Sequence, residues 1–190
     1  MEQETQQEIA KLFCEECLWA YECWITYKKL CDVQSEFYEW RAPFFHERLG
    51  KILHQYSVLQ ICKLHDPAKM KDRQHDVFNL TIKYMVERFE WGDEKAVIDD
   101  FFKELNELYC RLKPARDKVI GHIDLGTVSK GVPVGYFDEG LDDKYFESLQ
   151  EFVSSVHEKW VGGPYLFKDT SHAEADVQEY LGILSKEMRL

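Results

Sequence analysis

The chain has 190 residues, of which 45% are hydrophobic and 14% aromatic, enough to build one core without disulfide or metal staples. Its 31% charged residues leave no long apolar run for a membrane span. The acidic, polar start Met1-Glu2-Gln3-Glu4-Thr5-Gln6-Gln7-Glu8 is unlike a secretory leader, so a cytoplasmic protein is expected. A net charge of −11 opposes broad attraction to nucleic acid.

From Glu8 to about Cys31, apolar residues at Ile9, Leu12, Phe13, Cys17, Ala20, Trp24 and Tyr27 step by three or four, which predicts a first helix. Ala42-Pro43 reads as the first turn of a second, because proline lacks only an amide hydrogen that the first turn does not use. Phe44, Leu49, Ile52, Tyr56 and Ile61 carry it to Leu64, where His65-Asp66-Pro67 stops it. Ala68 to His75 reads as a loop and Val77 to Phe89 as a third, shorter helix. Asp93 is placed to cap a fourth, with Val97, Ile98, Phe101, Leu105, Leu108, Tyr109 and Leu112 on its buried face. That helix runs into Pro114, which predicts a kink or restart just before Arg116.

Glycines at 126, 131, 135 and 140 make about 123–141 a long loop, with room for a small hairpin at Val132 to Phe137. A fifth helix follows Asp142 and carries Tyr145, Phe146, Leu149, Phe152, Val153, Val156 and Trp160 on one face. Gly162-Gly163-Pro164 breaks it, and a last helix spans about 173–188. The expected architecture is a single all-α domain over 1–190, an antiparallel helical bundle with its core at about 8–160.

Six cysteines lie in amphipathic stretches, as reduced thiols would, and the lone C-x-x-C at Cys14 and Cys17 fits helix packing better than zinc. His46, His54, His65, His75, His157 and His172 show no metal spacing, and no metal or cofactor is expected. Glycine-rich phosphate loops, H-E-x-x-H pairs and serine nucleophile elbows are absent. Two basic islands stand out. Residues 63–75 hold Lys63, Lys69, Lys71 and Arg73, and residues 111–118 hold Arg111, Lys113, Arg116 and Lys118.

The second island opens Arg116-Asp117-Lys118-Val119-Ile120-Gly121-His122, in which a fixed cation and an ionisable imidazole lie six positions apart. On a straight helix they would be about 9 Å apart along the axis and roughly 120° apart around it, so they need a bend or a partner chain to meet. Arg116 follows Leu112 by four and Tyr109 by seven, which places it at the margin of an apolar stripe. A charge there must meet a carboxylate, a phosphate or an interface. Basic residues followed by glycine are also how many helices end, and the local pattern leaves both readings open.

Ala115-Arg116-Asp117-Lys118-Val119-Ile120-Gly121-His122-Ile123-Asp124 resembles the R-x₄₋₆-H motif of the HEPN superfamily, in the form seen in its abortive-infection AbiU-like branch. Ala42-Pro43-Phe44-Phe45, Leu64-His65-Asp66-Pro67 and Phe78-Asn79-Leu80-Thr81 are similar to that branch in content and order, so the resemblance covers about 38–125. Gly121 stands where alanine is usual, and Asp117 where many active members have asparagine.

The resemblance implies a helical bundle that forms a homodimer, with Arg and His of both chains in one cleft. It implies metal-independent RNA cleavage, in phage defence or a toxin–antitoxin system. Arg116, His122 and Asp117 would be the catalytic residues, and Lys118, Arg111 and Lys113 the RNA-binding ones. His122 would act as general base or acid and Arg116 would hold the phosphate oxygens. Asp117 would orient or neutralise a neighbour, and Lys69, Lys71 and Arg73 would steer RNA further out. His65 and Asp66, within the family-like stretch, are placed to approach the motif. The competing reading is a non-catalytic helical dimer that captures a protein partner, as a sensor or antitoxin.

Overall fold

The computed structural model describes residues 3–32, 43–72, 75–117 and 137–187. Its axis is helix α1, Gln3–Asp32, whose Phe13, Cys17, Ala20 and Trp24 are buried at the spacing of one helical stripe. Helix α2, Pro43–Leu64, starts on its proline and buries Ser57, Val58, Ile61, Cys62 and Leu64. Ser57 Oγ donates to the Cys23 carbonyl at 2.8 Å, and Lys63 pairs with Glu16 at 3.6 Å. As the chain ascends α2 its partners descend α1, so the two are antiparallel.

After α2 the chain forms a hairpin, β1 (Lys69–Asp72) and β2 (His75–Phe78), with Lys69 opposite Phe78 and Met70 opposite Val77. This corrects two expectations: Ala68 to His75 is mostly strand instead of loop, and Val77-Phe78 belongs to the hairpin instead of a helix. Helix α3, Ile82–Arg88, begins only after Thr81, whose Oγ1 accepts from the Tyr84 amide at 3.1 Å. That cap satisfies an orphan amide and fixes the start four residues beyond Phe78.

A short 3-10 turn, Gly92–Glu94, leads into helix α4, Lys95–Tyr109. Asp93, expected as a cap, sits inside that turn, and the capping position falls to Glu94 without a side-chain hydrogen bond. The helix ends at Cys110, and the chain restarts as a single turn α5, Lys113–Ala115, with Pro114 in its first residues. The predicted restart before Arg116 is therefore present. Helix α6, Leu141–Trp160, follows Gly140, whose φ of 77° is a left-handed conformation that suits glycine. A short α7, Phe167–Thr170, which the sequence did not suggest, precedes α8, Ala173–Glu187.

α6 packs antiparallel to α1: Phe13 meets Phe152 edge-on at 5.8 Å, Tyr21 meets Phe146 at 5.3 Å, and Trp24 Nε1 donates to Asp142 Oδ2 at 3.1 Å. It also packs antiparallel to α4, through Lys144 with Glu104 and Lys159 with Glu94. One apolar cluster runs from Ala10 to Phe167 and includes Ile61, Met85, Trp91, Ile98, Leu105, Leu112, Tyr145 and Phe152. Among the described residues the fold is all-α apart from the hairpin. Among the described residues no helix is long and apolar enough to cross a membrane.

Cys14 and Cys17 lie inside this core. Burial, with help from neighbouring Glu15, pushes the Cys14 thiol up to about 12, and burial raises Cys17 as well. Thiols so far from ionising behave as small apolar side chains.

Candidate functional site

The turn that ends α2 and the corner between α4 and α5 meet at one end of the bundle. Leu64 is buried, and the His65 amide donates to the Cys62 carbonyl at 3.0 Å, so the last turn of α2 tightens and Asp66 emerges at its tip. Across from it, the Arg116 amide donates to the Leu112 carbonyl at 3.4 Å, which keeps Arg116 in register with the buried Leu112 beneath it. Arg116 Nη1 lies 2.6 Å from Asp66 Oδ1. That oxygen is buried, and among the described residues Arg116 is its ion-pair partner.

Tyr109 completes the support. Its hydroxyl lies close enough to Arg116 and Cys62 to interact with both. Burial lifts the Tyr109 phenol to about 12, aided by Cys62 and opposed by Arg116. Burial likewise lifts the Cys62 thiol to about 11, against the Tyr109 hydrogen bond and the Arg116 charge. Burial alone would lower the Arg116 guanidinium, but Tyr109 and Asp66 outweigh it and the net shift is upward. The cation is permanent.

The Tyr109 ring is held by His65, whose ring stacks on it at 4.2 Å and 4°. His65 Nδ1 lies 3.1 Å from Asn106 Oδ1, and Nε2 lies 2.9 Å from the Tyr145 hydroxyl. The amide oxygen can only accept, so Nδ1 carries the proton and Nε2 accepts from Tyr145. Burial pushes the imidazole down to about 4, with the Asn106 bond opposing in part. His65 retains some solvent contact, but both nitrogens are occupied and the ring is neutral near pH 7. It is a strut and not a proton shuttle.

Among the described residues, Asp66 is the carboxylate that meets the Arg116 guanidinium, and the Arg116 side chain is 34% exposed. The arrangement therefore presents a cation supported from within the fold and partly open to the surface, the kind of group that meets a phosphate oxygen. Arg111 and Lys113 are exposed on the same corner, and Asp117 is exposed beside Arg116. Among the described residues the carboxylate within ion-pair reach of Arg116 is that of Asp66, not of its sequence neighbour. His122 and Lys118 lie outside the described residues, as do 123–136 of the glycine-containing loop and the hairpin expected at Val132 to Phe137 except its last residue.

Both ends of the stretch that carries His122 flank this cluster. Asp117 adjoins Arg116, and Phe137 packs against Tyr145 at 5.6 Å and edge-on against Trp24 at 5.3 Å. The sequence placed Arg116 and pointed to Asp66, but gave Tyr109, Asn106 and Tyr145 no part in the site. The available signal was that a tyrosine on a buried stripe has a hydroxyl that must find a partner.

A second feature lies along the bundle. α1, α2 and α8 leave a groove of about 480 Å³ lined by Trp19, Leu53, Tyr56, Val177 and Tyr180, among others.

The model of the HEPN-type AbiU2 family matches residues 4–181, a span that contains every residue of the Arg116 cluster. No curated protein and no solved structure matches the chain.

Proposed function

We infer that this chain, which belongs to the HEPN-type abortive-infection family AbiU2, contributes one half of a metal-independent endoribonuclease site centred on Arg116 and His122. The observation that carries this reading is Arg116 itself, a partly exposed cation held against Asp66 and Tyr109 at the start of the family-like motif.

In the reaction, the ribose 2′-hydroxyl attacks the adjacent phosphorus and the bond to the 5′-oxygen breaks, leaving a 2′,3′-cyclic phosphate and a 5′-hydroxyl. His122 takes the proton from the 2′-hydroxyl or delivers one to the departing oxygen, because an imidazole with a pKa of about 6.5 does either near neutrality. Arg116 binds the phosphate oxygens as charge accumulates on them. Asp117 orients a neighbouring group, and Arg111, Lys113 and Lys118 draw in the RNA backbone. Two chains pair as a homodimer so that both Arg and His pairs face one cleft, which answers the six-residue separation within one chain. The whole chain acts as one domain, in the cytoplasm, as a phage-defence effector or toxin.

The apolar groove between α1, α2 and α8 favours a second reading, in which the chain is a non-catalytic dimer that captures a protein partner as a sensor or antitoxin. The two separate on one experiment. Purified protein is incubated with mixed RNA in a chelator, beside Arg116→Ala and His122→Ala. Ribonuclease chemistry requires cleavage by wild type, cyclic phosphate ends and loss of cutting by at least about a hundredfold in each variant. Intact RNA in all three samples leaves the partner-capture reading.

A further inference from the structure

The β1–β2 hairpin is unusual for its setting. Among the described residues it stands on an otherwise helical body, and every residue of β2 is exposed. A two-stranded ribbon has little stability of its own, so one that exposes both faces is more readily explained by what it contacts than by what it packs. Directly opposed residues share a face, so Lys69, Lys71, Asp76 and Phe78 lie on one side and Met70 and Val77 on the other.

The first side has a particular chemistry. Phe78 is 47% exposed, with the Arg88 guanidinium 4.7 Å and the Lys69 ammonium 5.9 Å from its ring centroid. Tyr84 meets it edge-on at 6.2 Å and holds it from the α3 side. Lys69 is also paired with Asp76 at 2.7 Å, while Lys71 is exposed further along the same face. An aromatic ring beside cations suits a nucleotide, since bases stack on rings and guanidinium planes while phosphates meet the charge.

Charge and position agree. Residues 69–88 hold five basic side chains against three acidic, whereas the rest of the chain holds nineteen against thirty-two. The hairpin also leaves directly from the Arg116 site. Only Pro67 and Ala68 separate Asp66 from β1, so Lys69 lies within about 11 Å of Asp66. Asn79 closes the base, its side chain donating to the Pro67 carbonyl at 2.8 Å and its amide to Ala68 at 3.0 Å. The hairpin is thus anchored to the same turn that presents Asp66 to Arg116.

We propose that the Phe78 face of the hairpin is a single-stranded RNA contact surface that leads substrate to Arg116, with Phe78 and Arg88 stacking a base and Lys71 and Lys69 meeting the backbone. This rests on the ribonuclease reading of the Arg116 site and adds to it a binding track outside the motif.

The test measures binding and cutting separately on the full chain. Anisotropy of a fluorescent single-stranded RNA is titrated in chelator with wild type, Phe78→Ala, Lys71→Glu and, on the opposite face, Val77→Ser, each checked for an unchanged melting temperature. Phe78→Ala should weaken binding about tenfold, Lys71→Glu should weaken it and flatten its salt dependence, and Val77→Ser should bind as wild type does. If wild type binds RNA and the Phe78 and Lys71 variants bind as tightly, the surface is wrong and the Arg116 reading stands. If binding falls as stated but no variant or wild type cuts, the surface stands and the ribonuclease reading fails. If wild type binds no RNA, or if equal loss follows from Val77→Ser, the proposal is overturned, and an extended peptide pairing with a strand edge becomes the occupant to examine.

Discussion

Two ion pairs tie distant parts of this chain together, and they differ in what they leave over. Lys28 Nζ reaches Asp142 Oδ2 at 2.8 Å, and Trp24 Nε1 donates to the same oxygen, so a largely buried carboxylate joins the end of α1 to the start of α6. Burial would raise that carboxyl, but the Lys28 and Trp24 hydrogen bonds outweigh it and hold it below the usual range. Its hydrogen-bonding is spent inside the fold. Arg116 and Asp66 join α5 to the end of α2 at a similar distance, but there the carboxylate is more exposed and, among the described residues, its buried oxygen has no second donor. A carboxylate with two donors inside the fold is explained by stability, and the looser pair leaves room for a ligand.

The largest stability effect should come from opening the closed pair. Asp142→Ala strands the Trp24 N–H in the core and frees Lys28, and should cost about 3 kcal/mol in urea unfolding. RNA cleavage per folded molecule should stay near wild type, because the change lies away from Arg116.

Next comes the strut beneath the open pair. His65 ionises at about 4 in the folded protein against about 6.5 in an unfolded chain, so between those values the unfolded state binds the extra proton. The stability it confers is complete above about pH 6.5 and declines as pH falls toward 4, by up to about 3 kcal/mol. His65→Gln should lower stability at pH 7.5 and remove that part of the decline. Chemical unfolding of both proteins at several pH values measures it, and parallel acid profiles would show that His65 is charged in the fold.

A smaller effect is expected for Tyr109→Phe, which keeps the stacked ring and deletes the hydroxyl between Arg116 and Cys62. Stability should fall by about 1 kcal/mol, while cleavage falls about tenfold through kcat more than KM as the guanidinium loses one of its two restraints. Arg116→Ala should cost a similar amount, about 1 kcal/mol, because water screens the guanidinium in part while the Asp66 oxygen it faces is buried and loses its cation. Its larger effect should fall on activity.

The helices were legible wherever one stripe met one core. Phe13, Cys17, Ala20 and Trp24 announce α1, and Pro114 announces the restart that positions Arg116. The hairpin was not, because Lys69, Met70 and Lys71 are all exposed and so carry no alternation of the kind that marks a strand packed on a core. Its second strand ends in Phe78, whose neighbours Leu80 and Ile82 blur into a helical period, and the Thr81 cap that separates them depends on a single hydroxyl. At the site, Arg116 was legible from spacing and Asp66 only from the company it keeps. Tyr109, Asn106 and Tyr145 read as ordinary members of buried helices, since their polar atoms meet His65 and Arg116 only across 7 to 80 positions of chain. Sequence periodicity says which way a side chain faces, not which distant group its hydroxyl finds.

The most direct test sets one pair against the other on a single substrate. Wild type, Arg116→Ala and Lys28→Ala, matched for folded fraction, are given labelled single-stranded RNA in chelator and followed under single-turnover conditions. Per folded molecule, Arg116→Ala should lose at least about a hundredfold in rate, while Lys28→Ala, though less stable, should cut within about threefold of wild type. Equal rates for wild type and Arg116→Ala, or equal losses in the two variants, would contradict it.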